Sequence, residues 1–312
     1  MKKKTAIPRP LLYNSVSSYY RSKYGRKIKR ISVDTGYGCP NLDGTLSGRG
    51  CVYCNNSSFS NNYKTGLTLK KQIEKTVNYG LSQNSKAGYI VYFQPGTNTY
   101  APLEKIREDF ETALSFNEVV GIAIGTRPDY IDEKIIQLFS EFAQNHEIWV
   151  ELGLQSSNNE TLKRINRNHT FSQFQKAAAL IKSAENLKLA AHIIIGLPGE
   201  TEKEYLCTAM DLKRAGIDGI KIHPLYVAGE TELFSIYEKG EVKLLEMKEY
   251  MRNVAKILCI LDKETVIFRI CGRCSADLLT APDWIRLPSS VQLECLKNIM
   301  EEGSWQGKTA GE

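Results

Sequence analysis

Short apolar segments alternate with amphipathic segments from residue 27 to about residue 224, and this alternation constrains the fold more than any other feature of the chain. Strand patterns that alternate with helical patterns are typical of a parallel sheet whose strands are joined by crossover helices. The predicted strands cover residues 28–33, 89–93, 119–124, 147–152, 189–195 and 219–223. We therefore predict an α/β fold, a partial (βα)6 TIM-like barrel with a helical C-terminal extension.

The pattern divides the chain into three segments. We predict a basic N-terminal extension over residues 1–26, the barrel over residues 27–228, and a C-terminal extension over residues 229–312 that packs on the barrel. The final residues, GSWQGKTAGE, are expected to be mobile or to contact a partner. Within the C-terminal extension, periodicity predicts helices near residues 230–237, 244–261 and 289–302 and a strand near residues 264–270.

The chain contains no apolar run of the ~20 residues that a membrane-spanning helix needs, and its start lacks the apolar core of a signal peptide. We therefore expect a cytoplasmic protein without membrane association. In a reducing compartment, the eight cysteines are not expected to form a disulfide framework. A tight cysteine cluster then indicates metal or redox chemistry.

Charge is distributed unevenly along the chain. Residues 1–33 contain ten Lys and Arg residues and no Asp or Glu, whereas the remainder has 31 basic and 35 acidic residues. This basic arm could bind phosphates and stack bases on its tyrosines, although a solvated extension explains the charge equally well. The tyrosines are Tyr13, Tyr19, Tyr20 and Tyr24, and the candidate RNA-binding cations are Arg21, Arg26, Lys27 and Arg30.

A glycine-rich segment after the first predicted strand contains Cys39, Cys51 and Cys54 in a C-x11-C-x2-C pattern, and its glycines are expected to adopt positive φ. Three thiolates can bind three irons of a [4Fe–4S] cluster and leave the fourth iron open for the amino and carboxylate groups of S-adenosylmethionine (SAM). An electron from such a cluster would cleave SAM to methionine and a 5′-deoxyadenosyl radical. Tyr53, the aromatic residue before the last cysteine, could present its backbone to the adenine.

Two alternatives to the cluster remain open at this point. The three cysteines could bind zinc, completed by Cys271 and Cys274, or could be ordinary buried thiols. Zinc usually takes four ligands, and residues 271 and 274 are too distant in sequence for a compact zinc module, so the pattern favours the cluster. For the Cys271–Cys274 pair itself a structural role is favoured, with a second cluster or a hydrogen-donating thiol as alternatives.

Several longer stretches follow one another across nearly the whole predicted barrel: CPNLDGT…GRGCVYCNN, YFQPGTNTYAP, GIAIGTRPDYI, ELGLQSSNNETLKRINRNH, HIIIGLPGET and GIKIHPLYV. In these stretches the sequence resembles YtqA/YhcC-type radical SAM proteins, including their MnmL-like members. That family is related to the Elongator catalytic subunit and to anaerobic coproporphyrinogen oxidase. The gap of eleven residues between the first two cysteines fits this branch, although the commonest radical SAM motif has three.

The resemblance implies roles for residues near the C-terminal ends of the predicted strands, where the sites of such barrels lie. It implies that Gln155 approaches the SAM ribose, that Arg167 approaches its carboxylate, and that His192 occupies a ribose-binding position. His192 could instead be a satisfied core residue, and Glu151 either contacts the cofactor or is a buried structural carboxylate. The adenine is expected against Gly196, Leu197, Pro198 and Gly199.

The segment FQPGTNTY follows the second predicted strand, and its Gln94 is expected to face the cofactor while the backbone meets the methionine amino group. Pro95-Gly96 could, however, be only a turn. Other polar residues are predicted at the same mouth, where they could bind substrate, or form rim packing and ion pairs. These are Asn98, Tyr100, Arg127, Asp129, His223 and Tyr226.

The resemblance implies action on the tRNA wobble uridine, converting 5-carboxymethylaminomethyluridine, often 2-thiolated, to 5-aminomethyluridine. It also implies a flavodoxin- or ferredoxin-type electron donor and a downstream tRNA methyltransferase. The basic arm agrees with an RNA substrate, since phosphate contacts supply most non-specific affinity. Two alternatives remain, a radical SAM enzyme that acts on a small metabolite and a non-enzymatic, zinc-dependent RNA-binding protein.

Overall fold

The computed structural model describes residues 12–309 except residues 59, 61, 84 and 302. Its strands are β1 Ile28–Val33, β2 Gly88–Phe93, β3 Val119–Thr126, β4 Glu147–Gln155, β5 Leu187–Ile195, β6 Gly219–Pro224, β7 Val227–Ala228, β8 Val266–Arg269 and β9 Leu279–Ala281. Seven of them form a parallel sheet in the order β1-β2-β3-β4-β5-β6-β8, which curls into a half-barrel. The predicted α/β fold and its six barrel strands are confirmed.

The helices of the described chain are α1 Val16–Tyr24, α2 Leu69–Ser82, α3 Leu103–Leu114, α4 Glu133–Ala143, α5 Asn159–Arg164, α6 Phe171–Lys182, α7 Glu202–Arg214, α8 Glu232–Glu238, α9 Met247–Ile260 and α10 Ser289–Glu301. Apart from α1, which precedes β1, they follow strands, and most of them cover the outer face of the sheet. Capping explains where several of them begin: the Thr170 side chain accepts from the backbone N–H of Gln173, and the Gln173 side chain accepts from the Thr170 backbone. No helix among the described residues is long and apolar enough to cross a bilayer.

Apolar side chains at helical spacing hold these helices against the sheet. In α3, Ile106, Phe110 and Ala113 lie on one face and have no exposed surface. The Phe110 ring stacks on Phe139 of α4 with 5.2 Å between ring centroids. Burial of each large apolar side chain in this layer stabilises the fold by about 1.5–3 kcal/mol. The largest apolar cluster therefore lies between the helices and the outer face of the sheet, and the inner face need not be apolar throughout.

Helix α1 closes the N-terminal end of the half-barrel. Tyr20 of α1 is buried, Tyr19 contacts the edge of Trp149 with 5.9 Å between centroids, and the Tyr24 hydroxyl donates to Glu147 over 2.6 Å. Glu147 is the first residue of β4, which locates this contact at the bottom of the barrel. The prediction that Tyr20 stacks on RNA bases is therefore wrong, because its ring is inside the apolar cluster that plugs the barrel.

The C-terminal extension contributes the seventh strand. The predicted strand near residues 264–270 is observed as β8, which pairs in parallel with β6 through Ile220 and Ile267. The alternative of a mobile tail is wrong for residues 303–309, because Gln306 is buried and its side-chain amide donates to Asp262 and Thr265 carbonyls. Contact of the tail with a partner stays a prediction. The boundaries of the three predicted segments stay a prediction, and residues 1–11 of the basic arm lie outside the described residues.

We expect Trp149→Ala to lower the free energy of unfolding by about 3–5 kcal/mol, because Trp149 has no exposed surface and the substitution leaves a cavity between α1 and Phe268. Urea denaturation of anaerobically purified protein measures this change. The matched control is Tyr79→Ala, at a ring with 70% exposure, which should change the value by less than about 0.5 kcal/mol. Equal urea midpoints for the two variants would contradict the proposed packing of α1 and Phe268 around Trp149.

Candidate active site

A cavity of about 230 Å³ lies at the C-terminal ends of the strands. Successive side chains of a strand point to opposite faces, so every second residue can reach the inside of a curled sheet. On β4 the residues that line the cavity are Glu151, Gly153 and Gln155. On β6 they are Lys221, His223 and the final residue, Pro224. The alternation of side chains therefore places most of the few polar residues of these strands inside the cavity, although most residues of the strands are apolar.

Cys39, Cys51 and Cys54 line the same cavity. Polar groups point at two of the sulfurs: Thr97 Oγ1 lies 3.6 Å from Cys39 Sγ, and Asn41 Nδ2 donates to Cys51 Sγ over 3.4 Å. Donors of this kind stabilise anionic sulfur and set the properties of a metal that the sulfur binds. The three cysteines thus share the cavity wall, and two of them have hydrogen-bond donors suited to thiolates.

The cysteine loop has the backbone conformation that its glycines predict. The loop after β2 lies so close that a side chain at Gly96 would place Cβ 2.4 Å from the carbonyl oxygen of Gly38. The Thr97 N–H donates to that same carbonyl over 2.9 Å. Only glycine permits this approach, which joins the two loops. Positive φ is confirmed at Gly36, Gly38, Gly44, Gly48 and Gly50.

The donor set fits an iron–sulfur cluster better than a single zinc ion. Burial raises the pKa of Cys54 to about 12, and the negative charges of Cys51 and Cys39 add to the increase. Because each thiolate makes ionisation of the others less favourable, the three thiols need a bound cation to be deprotonated together. Three thiol donors match the three protein ligands of a cluster that leaves its fourth iron open, whereas structural zinc usually takes four protein ligands.

Cys271 and Cys274 do not complete this site, since neither lines the cavity. Cys271 is buried, and its sulfur lies 3.7 Å from the Ser289 carbonyl oxygen. Cys274 packs at the margin of the main core. This arrangement favours the structural role predicted for the pair and leaves the proposed zinc site without its additional ligands.

A fully buried carboxylate forms the floor of the cavity. Glu151 Oε1 lies 2.5 Å from Arg30 Nη1, and Oε2 lies 2.5 Å from Lys221 Nζ and 2.8 Å from His192 Nε2. The four residues come from β4, β1, β6 and β5. The predicted alternative of a structural carboxylate therefore describes Glu151 well, although its side chain also lines the cavity.

The pKa shifts in this network follow from burial and from its excess of cations. Burial opposes ionisation of Glu151, but Arg30 and Lys221 hold its pKa well below the usual range. Burial lowers the pKa of Lys221, and Arg30 and Arg269 act in the same direction against Glu151. Burial and then Lys221 lower the pKa of His192 to about 4, so this imidazole is neutral at pH 7.

The predicted cofactor residues divide into two groups. Those that line the cavity are Tyr53, Gln94, Glu151, Gln155, Arg167 and His192. Gln155 adopts a φ of 76°, a strained conformation for a residue with a side chain and one that concentrates at functional sites. The predicted adenine-binding residues are outside this lining, and their individual roles stay predictions: Gly196, Leu197, Pro198 and Gly199.

The predicted substrate residues also divide. Arg127, His223 and Tyr226 line the cavity, and Arg127 Nη2 pairs with Asp129 Oδ2 over 2.8 Å. The prediction that Asn98 faces the cavity is wrong, because its amide is fully buried and donates to the carbonyls of Phe93, Pro95 and Gly125. Tyr100 lies outside the lining, where its hydroxyl contacts Thr45.

The basic arm lies far from the cavity mouth. Arg21, Arg26 and Lys27 are exposed on and after α1, at the N-terminal end of β1. The cysteine loop follows the other end of β1, and a strand of this length spans ~20 Å. The prediction that Arg30 contacts RNA is wrong, because its guanidinium is buried inside the barrel against Glu151 and the Phe268 ring. The other three cations stay candidates for phosphate contacts.

Three cations in the cavity lining were not predicted: Lys221, Arg269 and Arg273. Lys221 could have been found, because it stands two residues before His223 on the same strand and must share its face. Arg269 could not, because a register shift between β6 and β8 determines where it points. Arg273 follows in an irregular segment whose course is set only by tertiary packing.

The family model named Radical SAM superfamily matches residues 37–212, and the model named Radical_SAM C-terminal domain matches residues 217–302. The first match covers more than half of the chain, so the chain belongs to the radical SAM superfamily. Protein YhcC of Escherichia coli K12 is 32% identical over 301 residues, which cover 96% of this chain and 96% of that protein. Protein YtqA of Bacillus subtilis is 33% identical over 299 residues, covering 95% and 92%.

Two further comparisons extend beyond these relatives. A tRNA uridine(34) acetyltransferase of Methanocaldococcus infernus is 32% identical over 168 residues, which cover 51% of this chain and 31% of that protein. The solved structure of archaeal Elp3 from Methanocaldococcus infernus matches with a TM-score of 0.61 at 21% identity, over 88% of this chain and 63% of that one. The predicted family, enzyme class and cofactors are confirmed: this is a radical SAM enzyme that uses a [4Fe–4S] cluster and SAM.

We expect anaerobically purified protein to be brown and Cys51→Ala to lose the broad visible absorption of the cluster, because Cys51 is one of the three grouped thiols. Absorption spectra and assays of iron and acid-labile sulfide measure this loss. Cys207→Ala, at an exposed thiol outside the cavity, is the matched control and should keep the full cluster. A colourless, folded wild-type protein with stoichiometric zinc would contradict the assignment.

We expect Glu151→Gln to lower the free energy of unfolding by about 3–5 kcal/mol at pH 7, because the neutral amide leaves the buried Arg30 without its counter-charge. Denaturant titration followed by circular dichroism measures the change. Glu74→Gln, at a half-exposed residue paired with Lys70 on α2, is the control and should change the value by less than about 0.5 kcal/mol. If Glu151→Gln behaves like the control, the carboxylate does not organise the barrel.

Proposed function

We propose that the enzyme acts on the tRNA wobble uridine and converts 5-carboxymethylaminomethyluridine, with or without a 2-thio group, to 5-aminomethyluridine. The observation that carries the substrate assignment is the similarity of about half of the chain to a tRNA uridine(34) acetyltransferase. That similarity covers 31% of the acetyltransferase, so acetyl transfer itself is not carried over. Resemblance to MnmL-like proteins supports the particular reaction.

The proposed reaction breaks the C–N bond of an unactivated secondary amine, which offers no carbonyl or phosphate group to ordinary acid–base catalysis. When bound, the cluster and SAM supply a carbon radical that can remove a hydrogen atom from the carbon beside the amine. The substrate radical would lose one proton and one electron, with the oxidised cluster as the electron acceptor, to give an imine. Water would add to that imine and release the two-carbon acid as glyoxylate. The aminomethyl group remains on the uridine.

The cavity contains groups suited to both parts of this task. We assign Cys39, Cys51 and Cys54 to the cluster and propose that Arg167 and Gln155 help to hold SAM beside it. Arg167 Nη1 lies 3.6 Å from Cys51 Sγ, and its Nη2 donates to the Gly153 carbonyl over 2.7 Å, so the guanidinium is oriented next to the cluster ligand.

The substrate side of the proposal rests on two histidines. The rings of His192 and His223 are 5.8 Å apart between centroids, and both line the cavity. Because burial lowers the pKa of His192 to about 4 and lowers that of His223 as well, both are neutral near pH 7. A neutral imidazole can accept a proton from the water that adds to the substrate.

We further propose that the enzyme works in the cytoplasm and receives electrons from a flavodoxin- or ferredoxin-type donor. A tRNA methyltransferase would then complete the methylaminomethyl group. Arg21, Arg26 and Lys27 are exposed and remain the candidates in the basic arm for contacts with tRNA phosphates.

A deletion strain should accumulate 5-carboxymethylaminomethyluridine in tRNAs that normally carry the methylaminomethyl form, and nucleoside mass spectrometry measures it. A plasmid encoding wild-type protein should restore the product, a Cys54→Ser variant should not, and Cys207→Ser is the matched control. Purified protein with SAM, reductant and precursor tRNA should form 5′-deoxyadenosine, glyoxylate and 5-aminomethyluridine in equal amounts.

SAM cleavage that never converts tRNA would instead favour a small-metabolite substrate. A wild-type nucleoside profile in the deletion strain, together with no conversion in vitro, would rule out the proposed reaction.

A further inference from the structure

Two arginines of the C-terminal extension bring unbalanced positive charge into the cavity. Arg269 and Arg273 both line it, and among the described residues neither forms a hydrogen bond or ion pair with an acidic side chain. Glu151 is the single acidic residue in the described lining, and Arg30 and Lys221 already contact its two oxygens. The arginine pair therefore has positive charge available for a ligand.

A bulge directs Arg269 into the barrel. Ile220 pairs with Ile267, and the next residue, Lys221, pairs with Arg269, so the register skips Phe268. The Phe268 ring faces the interior, where it packs at 4.7 Å from the Trp149 ring. In a regular strand the following residue would point outwards, but a bulge changes the direction of the next side chain. Bulges of this kind are frequent beside active sites.

The surroundings of Arg269 are rich in positive charge. Its side chain is exposed to the open cavity and lies beside the strand position of Lys221. Arg30 contacts the carboxylate of this cavity, and Arg273 lines the same cavity and is exposed like Arg269. Cations held together inside a protein repel one another, so a bound carboxylate or phosphate would relieve this repulsion and form charge-assisted hydrogen bonds.

We propose that Arg269 and Arg273 bind the carboxylate of the carboxymethylaminomethyl group and thereby select tRNA that still carries its two-carbon acid. This inference rests on the proposed function. Arg269 and Arg273 line the same cavity as the three cysteines and the two histidines, so a substrate side chain held by these arginines would lie beside the cofactor site. The product lacks the carboxylate, so the same contact would favour release of product over substrate.

The test measures binding without turnover. Two otherwise identical tRNAs, one with 5-carboxymethylaminomethyluridine and one with 5-aminomethyluridine at the wobble position, are titrated into anaerobic cluster-loaded enzyme with SAM and no reductant. Wild-type enzyme should bind the carboxylate-bearing tRNA at least about tenfold more tightly, the effect expected of hydrogen bonds to a charged group. Arg269→Gln and Arg273→Gln should each reduce this preference, and the double variant should abolish it.

Arg252→Gln is the matched control, because Arg252 is exposed on α9 outside the cavity and its loss should leave the preference unchanged. The cluster absorption verifies that each variant is folded, and Arg269→Lys should retain part of the preference because it keeps the charge but not the planar fork.

Absence of a preference in the wild-type enzyme would overturn the inference. Equal weakening of both tRNAs, with a flatter salt dependence, would overturn it in favour of a backbone phosphate. The turnover assay tests the proposed function separately. A binding preference without conversion of the tRNA would reject the reaction but keep the carboxylate site. Conversion without a binding preference would support the reaction and reject the carboxylate site.

Discussion

A single buried carboxylate, that of Glu151, connects the strands of the half-barrel through its interior. In a flat sheet, β1 and β4 would be separated by three strand spacings, or ~14 Å. The curl of the sheet brings Arg30 of β1 and Glu151 of β4 to 2.5 Å. Because an unpaired buried charge is strongly destabilising, this network requires both the curl and the inward direction of its side chains.

The network separates two interiors of different character. Below it, α1 fills the barrel with aromatic rings, and Tyr20 and Trp149 leave no room for a ligand. Above it, the cavity is lined by cysteines, histidines and arginines. The apolar cluster around α1 stabilises the barrel at the N-terminal ends of the strands. The polar residues at the C-terminal ends are therefore free to bind cofactors and substrate.

The sequence predicted local features well and the neighbours of charged residues poorly. The six barrel strands and the positive φ of the loop glycines depend on periodicity and residue type, and both are confirmed. Arg30, by contrast, lies in a segment of basic residues that predicts an RNA-binding arm, but its side chain is inside the barrel. Charge composition describes a segment, whereas the pleat decides which residues of that segment face solvent.

Three features follow from the amino-acid sequence alone: the order of the strands and helices, the spacing of Cys39, Cys51 and Cys54, and the resemblance to radical SAM proteins. These features depend on residues close together in the chain or on motifs in a definite order. The inward direction of Arg269 and the anchoring of the tail by Gln306 could be seen only in the folded chain. A register shift and contacts between distant segments produce these results, and both depend on how the whole sheet packs rather than on any local pattern.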